Sequence, residues 1–107
     1  MSDLFVRHAE ICKTFSNPKR LEIIDSLRDG LELSAGQLLK SIDISKANLS
    51  QHMSILIKSG VVVSHRESQT VLYQLSDKRI TEACDLMREV LISRIELETK
   101  VLEQLKK

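Results

Sequence analysis

Apolar positions recur along this chain at two periods, and the switches between them mark its elements. Leu4, Ile11 and Phe15, with His8 among them, return every three or four residues and predict a first helix. Asn17 is a good N-cap and Pro18 suits a first helical position, so "NPKRLEIIDSLRDG" predicts a second helix, with Leu21, Ile24 and Leu27 inward and Gly30 as its stop. Ser34 caps a short third helix, "SAGQLLKSI", that buries Leu38 and Leu39. Ser45 caps a fourth, in which Leu49, Met53 and Leu56 fall within about 60° of one another on a helical wheel. After Gly60 the period drops to two: "VVVSHR" and "TVLYQL" flank the polar "ESQ" and predict a hairpin. From Asp77 to Lys107 there is neither Gly nor Pro. Ile80, Cys84, Met87, Leu91, Ile95, Val101, Leu102 and Leu105 there approach a coiled-coil repeat. A helix of up to ~30 residues, far beyond the globular mean, needs a surface to lie against, and a partner subunit supplies one.

The fold class that follows is mainly α with a small β-hairpin wing, in the order α-α-α-α-β-β-α. A length of 107 residues with 42% hydrophobic and 29% charged positions suits one domain spanning residues 1–107. Three aromatic residues and no Trp make the core aliphatic and remove base stacking as a binding mode, so a nucleic-acid partner would be double-stranded DNA. No apolar run approaches a membrane span, and "MSDLFVRHAE" carries acids where a signal peptide has a basic start, so no membrane partner and a cytoplasmic location are expected. Two cysteines without C-x-x-C spacing exclude a disulfide framework and a four-cysteine zinc site.

The net charge of +1 argues for nothing by itself, but its distribution does. From Ser45 to Arg66 there is no Asp or Glu, while Lys46, Lys58 and Arg66 are kept; acids are frequent before and after. A surface reserved for a polyanion explains the gap. On the fourth helix the face opposite the apolar stripe carries Ala47, Gln51, Ser54 and Lys58, flanked by Asn48 and His52. Two helices joined by a short turn, the second small and polar outside, form the helix-turn-helix pattern. Lys46, Ala47, Asn48, Gln51 and His52 are therefore candidate DNA-reading residues, with Gln51 and Asn48 suited to adenine edges and Ala47 to a thymine methyl. Ser45 and Ser50 offer hydroxyls to phosphate, and Ser45 is an N-cap in any case. In the hairpin, His65, Arg66 and Gln69 are candidates, Arg66 for phosphate or a narrow minor groove. Lys19 and Arg20, at a helix start, are weaker candidates for the phosphate backbone. The competing reading of each is an ordinary solvated face.

"NPKRLEII" in the second helix, Ser45, Ser50-Gln51-His52, Gly60 and a wing ending in Tyr73-Gln74-Leu75 before Asp77 together resemble the ArsR/SmtB family of winged helix-turn-helix transcriptional repressors, over nearly the whole chain. The resemblance implies a homodimer through the first and last helices, with Leu4, Ile11, Phe15, Ile80, Cys84, Met87, Leu91 and Ile95 at the interface. It also implies an imperfect palindromic operator and release by a signal. One family metal site uses cysteines in the segment matching "ELSAGQL", where Ser34 and Gly36 stand here. Another uses Asp-x-His at the start of the last helix with ligands further along. Asp77 is kept, but Arg79 replaces the first His and "EVLISRIE" has no His. No metal and no cofactor are therefore expected. Cys12 and Cys84, on the two dimer-forming helices, could make a thiol or persulfide switch; alternatively they are small packed hydrophobes. His8 could bridge subunits through a metal with Asp85 or Glu89, against the simpler reading of an interface histidine. No nucleophile elbow, phosphate loop or HExxH is present, so no enzymatic activity is expected. A winged-helix protein-interaction module without DNA binding is the rival from another class, and the acid-free stretch speaks against it.

Overall fold

The computed structural model describes residues 2–107. Its elements are α1 (Ser2–Thr14), α2 (Pro18–Ser26), a 3-10 turn (Arg28–Gly30), α3 (Ala35–Ser41), α4 (Lys46–Lys58), β1 (Val62–Glu67), β2 (Thr70–Leu75) and α5 (Arg79–Leu105). The two strands pair antiparallel, from Val62 opposite Leu75 to Glu67 opposite Thr70. The hairpin tip is thus Ser68-Gln69, with Ser68 at φ 58.

Local chemistry accounts for the boundaries. Asn17 Oδ1 accepts from the backbone N–H of Lys19 and Arg20 at 2.9 and 3.2 Å, and Pro18 begins α2 at a position that needs no donor. Ser34 and Gln37 form a reciprocal capping box at α3, each side chain accepting from the other's backbone N–H. Ser45 Oγ accepts from Asn48 N at 3.1 Å to start α4. That helix ends in two crossed bonds, Val61 N to Leu56 O and Gly60 N to Ile57 O, both at 3.0 Å. The crossing requires the left-handed backbone that Gly60 adopts at φ 81, and it brings Val61 down onto Leu56. Ser76 then clips the end of β2 to this corner, its Oγ donating to Gly60 O at 2.6 Å.

The buried apolar core runs from Ile23 to Val62: Ile23, Ile24 and Leu27 of the second helical segment, Leu38 and Ile42, then Leu49, Met53 and Leu56 of α4, and Val61 and Val62 at the wing root. The stripe expected on α4 is thus fully used. On α2 the wheel needs correcting: Ile23 is 0% exposed, whereas Leu21 is half-buried and lines a groove between α1 and α5. Leu33 and Tyr73 exchange backbone bonds of 3.0 and 2.8 Å, so the link before α3 adds a short third strand segment beside β2.

The outer helices behave differently. Phe15, Ile80 and Cys84 touch the core, but Leu4, Ile11, Met87, Leu91 and Ile95 remain 44–70% exposed. Asp77 acts at the start of α5 by accepting from Arg79 N at 2.9 Å. Arg28 ties α5 to the end of α2, with Nη2 at 2.7 Å from Asp25 and 2.9 Å from Asp85. Among the described residues no helix is long and apolar enough to cross a membrane.

Candidate nucleic-acid interface

The face of α4 turned away from the core presents Lys46, Ala47, Asn48, Ser50 and Gln51, all exposed, preceded by exposed Ser45. Because Leu49, Met53 and Leu56 are held at 0–3% exposure, the helix cannot roll, and these side chains are fixed in azimuth. An N-terminal half of a helix that is small, amide-bearing and free of acids fits the major groove, where Gln and Asn can each make two bonds to adenine.

His52 departs from the expected surface. It is half-buried, and its Nδ1 stands 3.3 Å from Nη1 of Arg20. A guanidinium only donates, so Nδ1 is the acceptor and the imidazole proton sits on Nε2. Desolvation, and then the nearby Arg20 charge, lower the His52 pKa below the ordinary imidazole value. Arg20 also donates through Nε to Thr14 O at 2.7 Å and through Nη2 to Lys13 O at 3.4 Å. These carbonyls end α1, where a cation satisfies orphan acceptors and complements the negative end of the helix dipole. Arg20 therefore joins the C-terminus of α1 to α4, a tie the sequence did not anticipate. Lys19 pairs with Glu22 at 3.2 Å on the exposed side of α2.

In the hairpin, Arg66 and Gln69 are exposed, Gln69 at the tip. The alternation of a strand puts Arg66 on one face and His65 and Glu67 on the other. His65 Nε2 lies 3.6 Å from Glu32 Oε1, and Glu67 completes a group whose ligand atoms are all within 4.8 Å of one another. Among the described residues this is the group of three that could hold a metal ion within one chain; His8, Asp85 and Glu89 do not form one. The Asp85 carboxylate is occupied by Arg28, whose hydrogen bond lowers its pKa. Arg79 likewise forks onto Asp77, with Nη2 to Oδ2 at 2.7 Å, and holds that carboxyl at about 2.

Cys12 is exposed and Cys84 half-buried, and both line an open apolar groove of about 830 Å³ between α1 and α5, beside Phe15, Met87 and Leu91. Burial pushes the Cys84 thiol up, away from the thiolate.

Sequence reasoning missed Ile23, the Arg20–His52 contact and the Glu32–His65–Glu67 group. Only for Ile23 was a signal in reach, as an alternative setting of the helical wheel. The other two join residues 32 or more positions apart.

Residues 17–64, from the N-cap of α2 into β1, match the family described as "Bacterial regulatory protein, arsR family". The chain is 35% identical over 80 residues to the transcriptional activator HlyU of Vibrio cholerae, covering 75% of this chain and 73% of that protein. It is 32% identical over 104 residues to the HTH-type transcriptional regulator Rv0081 of Mycobacterium tuberculosis, covering 96% of this chain and 90% of the relative. The crystal structure of Rv0081 superimposes with a TM-score of 0.77 at 32% identity, over 87% of this chain and 93% of that one. Mb0332 of Mycobacterium bovis, described as a homodimeric winged helix-turn-helix DNA-binding domain, shares the fold at a TM-score of 0.78 and 22% identity, over 89% of this chain and 87% of that one. A polar-faced α4 anchored on an aliphatic core, a β-hairpin wing rooted at its end, and relatives matched along nearly the full length place the chain in the ArsR family of DNA-binding transcriptional regulators, with the winged helix-turn-helix fold.

Proposed function

We propose that the chain, acting as one domain over residues 1–107, works as a homodimeric repressor on an imperfectly palindromic operator. The carrying observation is the division of the surface. An acid-free polar face on α4 is fixed by the core, while the apolar faces of α1 and α5 stand uncovered. Exposed apolar area on that scale is a subunit interface in the making, and Leu4, Ile11, Met87, Leu91 and Ile95 are the residues it would cover, with Phe15, Ile80 and Cys84 at its inner edge. Two-fold pairing there sets two reading helices about one turn of DNA apart, or a multiple of that distance. Lys46, Ala47, Asn48 and Gln51 then meet base edges, Ser45 and Ser50 the phosphates, and Arg66 and Gln69 of the wing the flanking backbone or minor groove. His52 contributes through Arg20 and its free Nε2–H. Such work needs double-stranded DNA and a second copy of the chain, belongs in the cytoplasm, and involves no catalysis and no membrane.

Fluorescence anisotropy with duplex from upstream of the chain's own coding sequence tests this reading. Specific binding should weaken steeply with salt, and Lys46→Ala and Arg66→Ala should each reduce the slope of log K against log salt by about 0.9. Salt-indifferent binding would remove the basic face from the interface.

One observation favours a thiol signal as a second reading: Cys12 and Cys84 open onto the same groove. Oxidation or persulfide bridging there would shift α1 against α5 and so the two wings. Loss of DNA binding on treatment with a disulfide oxidant or polysulfide, abolished by Cys12→Ser or Cys84→Ser, is the expected result. Unchanged binding with unmodified thiols leaves both as packing residues.

A further inference from the structure

Glu32, His65 and Glu67 come from two separate segments and meet beside the wing. Glu32 is fixed by its neighbour Leu33, whose backbone pairs both ways with Tyr73 on β2; His65 and Glu67 share one face of β1. The 3.6 Å between His65 Nε2 and Glu32 Oε1 is long for a hydrogen bond. It is close to the separation of about 3.4 Å expected for two ligands on one tetrahedral ion at about 2.1 Å from each. Glu67 supplies a third ligand atom within 4.8 Å of both. One imidazole and two carboxylates suit a first-row divalent cation better than a soft thiolate-seeking one, and three protein ligands leave a position for water.

Charge gives the site its consequence. Glu67 immediately precedes the tip residues Ser68 and Gln69, so both carboxylates act on whatever the wing approaches, within a Debye length of about 8–10 Å. Flanking the acid-free stretch from Ser45 to Arg66, these two oppose a phosphate backbone. An ion of charge +2 cancels them and ties the link before α3 to β1 across β2.

We propose that Glu32, His65 and Glu67 bind one zinc-class divalent cation per chain, and that the bound ion tightens the hold of the wing on duplex DNA. The first half stands on the geometry alone; the second rests on the wing being a DNA contact.

The test is zinc titration of the full-length protein, by calorimetry and by competition with a chromophoric chelator. One ion should bind per chain. Glu32→Gln, His65→Gln and Glu67→Gln should each weaken it at least about 10-fold, the cost already seen for outer-shell partners of a metal, with unchanged circular dichroism melts, while the double variant Cys12→Ser, Cys84→Ser retains it. Wild-type affinity in His65→Gln, or loss of binding in the cysteine variant, overturns the site. Anisotropy on duplex DNA reads the second half. Zinc should lower the wild-type Kd by about threefold or more. Glu67→Gln should bind duplex more tightly than wild type without zinc and should not respond to zinc at a concentration that just saturates the wild type. A Kd that zinc leaves unchanged or raises overturns the tightening. Tight zinc binding by a chain that binds no duplex in any state leaves the ion site standing and overturns the DNA reading beneath the second half.

Discussion

The stretch from Ile23 to Val62 and the two terminal helices use similar apolar residues to opposite ends. The central stretch buries ten of them to 4% exposure or less and thereby holds α4 at a fixed rotation. In α1 and α5, residues as apolar as Leu4, Met87 and Leu91 stay more than half exposed, because a 27-residue helix extends past anything the small core can offer. One region completes itself, while the other leaves its apolar face uncovered, the face that the proposed dimer would bury. The stability of the central region should therefore be limited by core packing, and the proposed assembly by the stripe on α5.

The largest separation of the two comes from Leu56→Ala. Leu56 is 0% exposed and also receives Val61 at the end of α4, so its truncation should cost about 2–5 kcal/mol in urea unfolding. A loss below about 1 kcal/mol would mean that α4 is not core-anchored. Next is Leu91→Glu, which touches none of that core. Burying a charge in the proposed interface should weaken self-association by about a hundredfold in analytical ultracentrifugation, with far-UV circular dichroism retained at high concentration. A variant that dimerises like wild type would move the interface elsewhere.

A smaller effect separates reading from anchoring within α4. Gln51 is exposed on the face of α4 turned away from the core, so Gln51→Ala should reduce specific DNA affinity by about 1–3 kcal/mol while leaving non-specific binding and melting temperature unchanged. Equal loss on specific and unrelated duplexes would make Gln51 a phosphate contact.

The smallest effect concerns the link between α1 and α4. The folded state depresses the His52 pKa, so it binds fewer protons there than the unfolded chain. Stability from this group is present above the ordinary imidazole pKa of about 6.5 and is lost as pH falls below it. Arg20→Met removes one cause of the depression and the bonds to Thr14 and Lys13. NMR titration should show the His52 pKa rising, and thermal melts should show a loss of about 1 kcal/mol at neutral pH. An unmoved His52 titration would mean that the two side chains are not in contact in solution.

Element order, caps and the face of α4 were legible in the chain because each is set by residues within a few positions. Asn17 acts on Lys19 and Arg20, Ser34 on Gln37, Ser45 on Asn48, and Gly60 lets Val61 fold back on Leu56. The family pattern was legible for the same reason, since its motifs lie on those local signals. The candidate DNA-contact residues of α4 were legible as a face, and the structure leaves all but His52 exposed.

What the sequence could determine by itself was periodicity, punctuation and the missing acids between Ser45 and Arg66. Tertiary structure decided that Ile23 takes the inward place given to Leu21, because α2 is rolled by its contacts with α3 and α4 as well as by its own wheel. It made Arg20 a tie between the end of α1 and His52, and it set Glu32 beside His65 by pairing Leu33 with Tyr73. Those outcomes depend on the directions in which long side chains meet across elements, and sequence spacing carries no information about such directions beyond a turn of helix or a pair of strand positions.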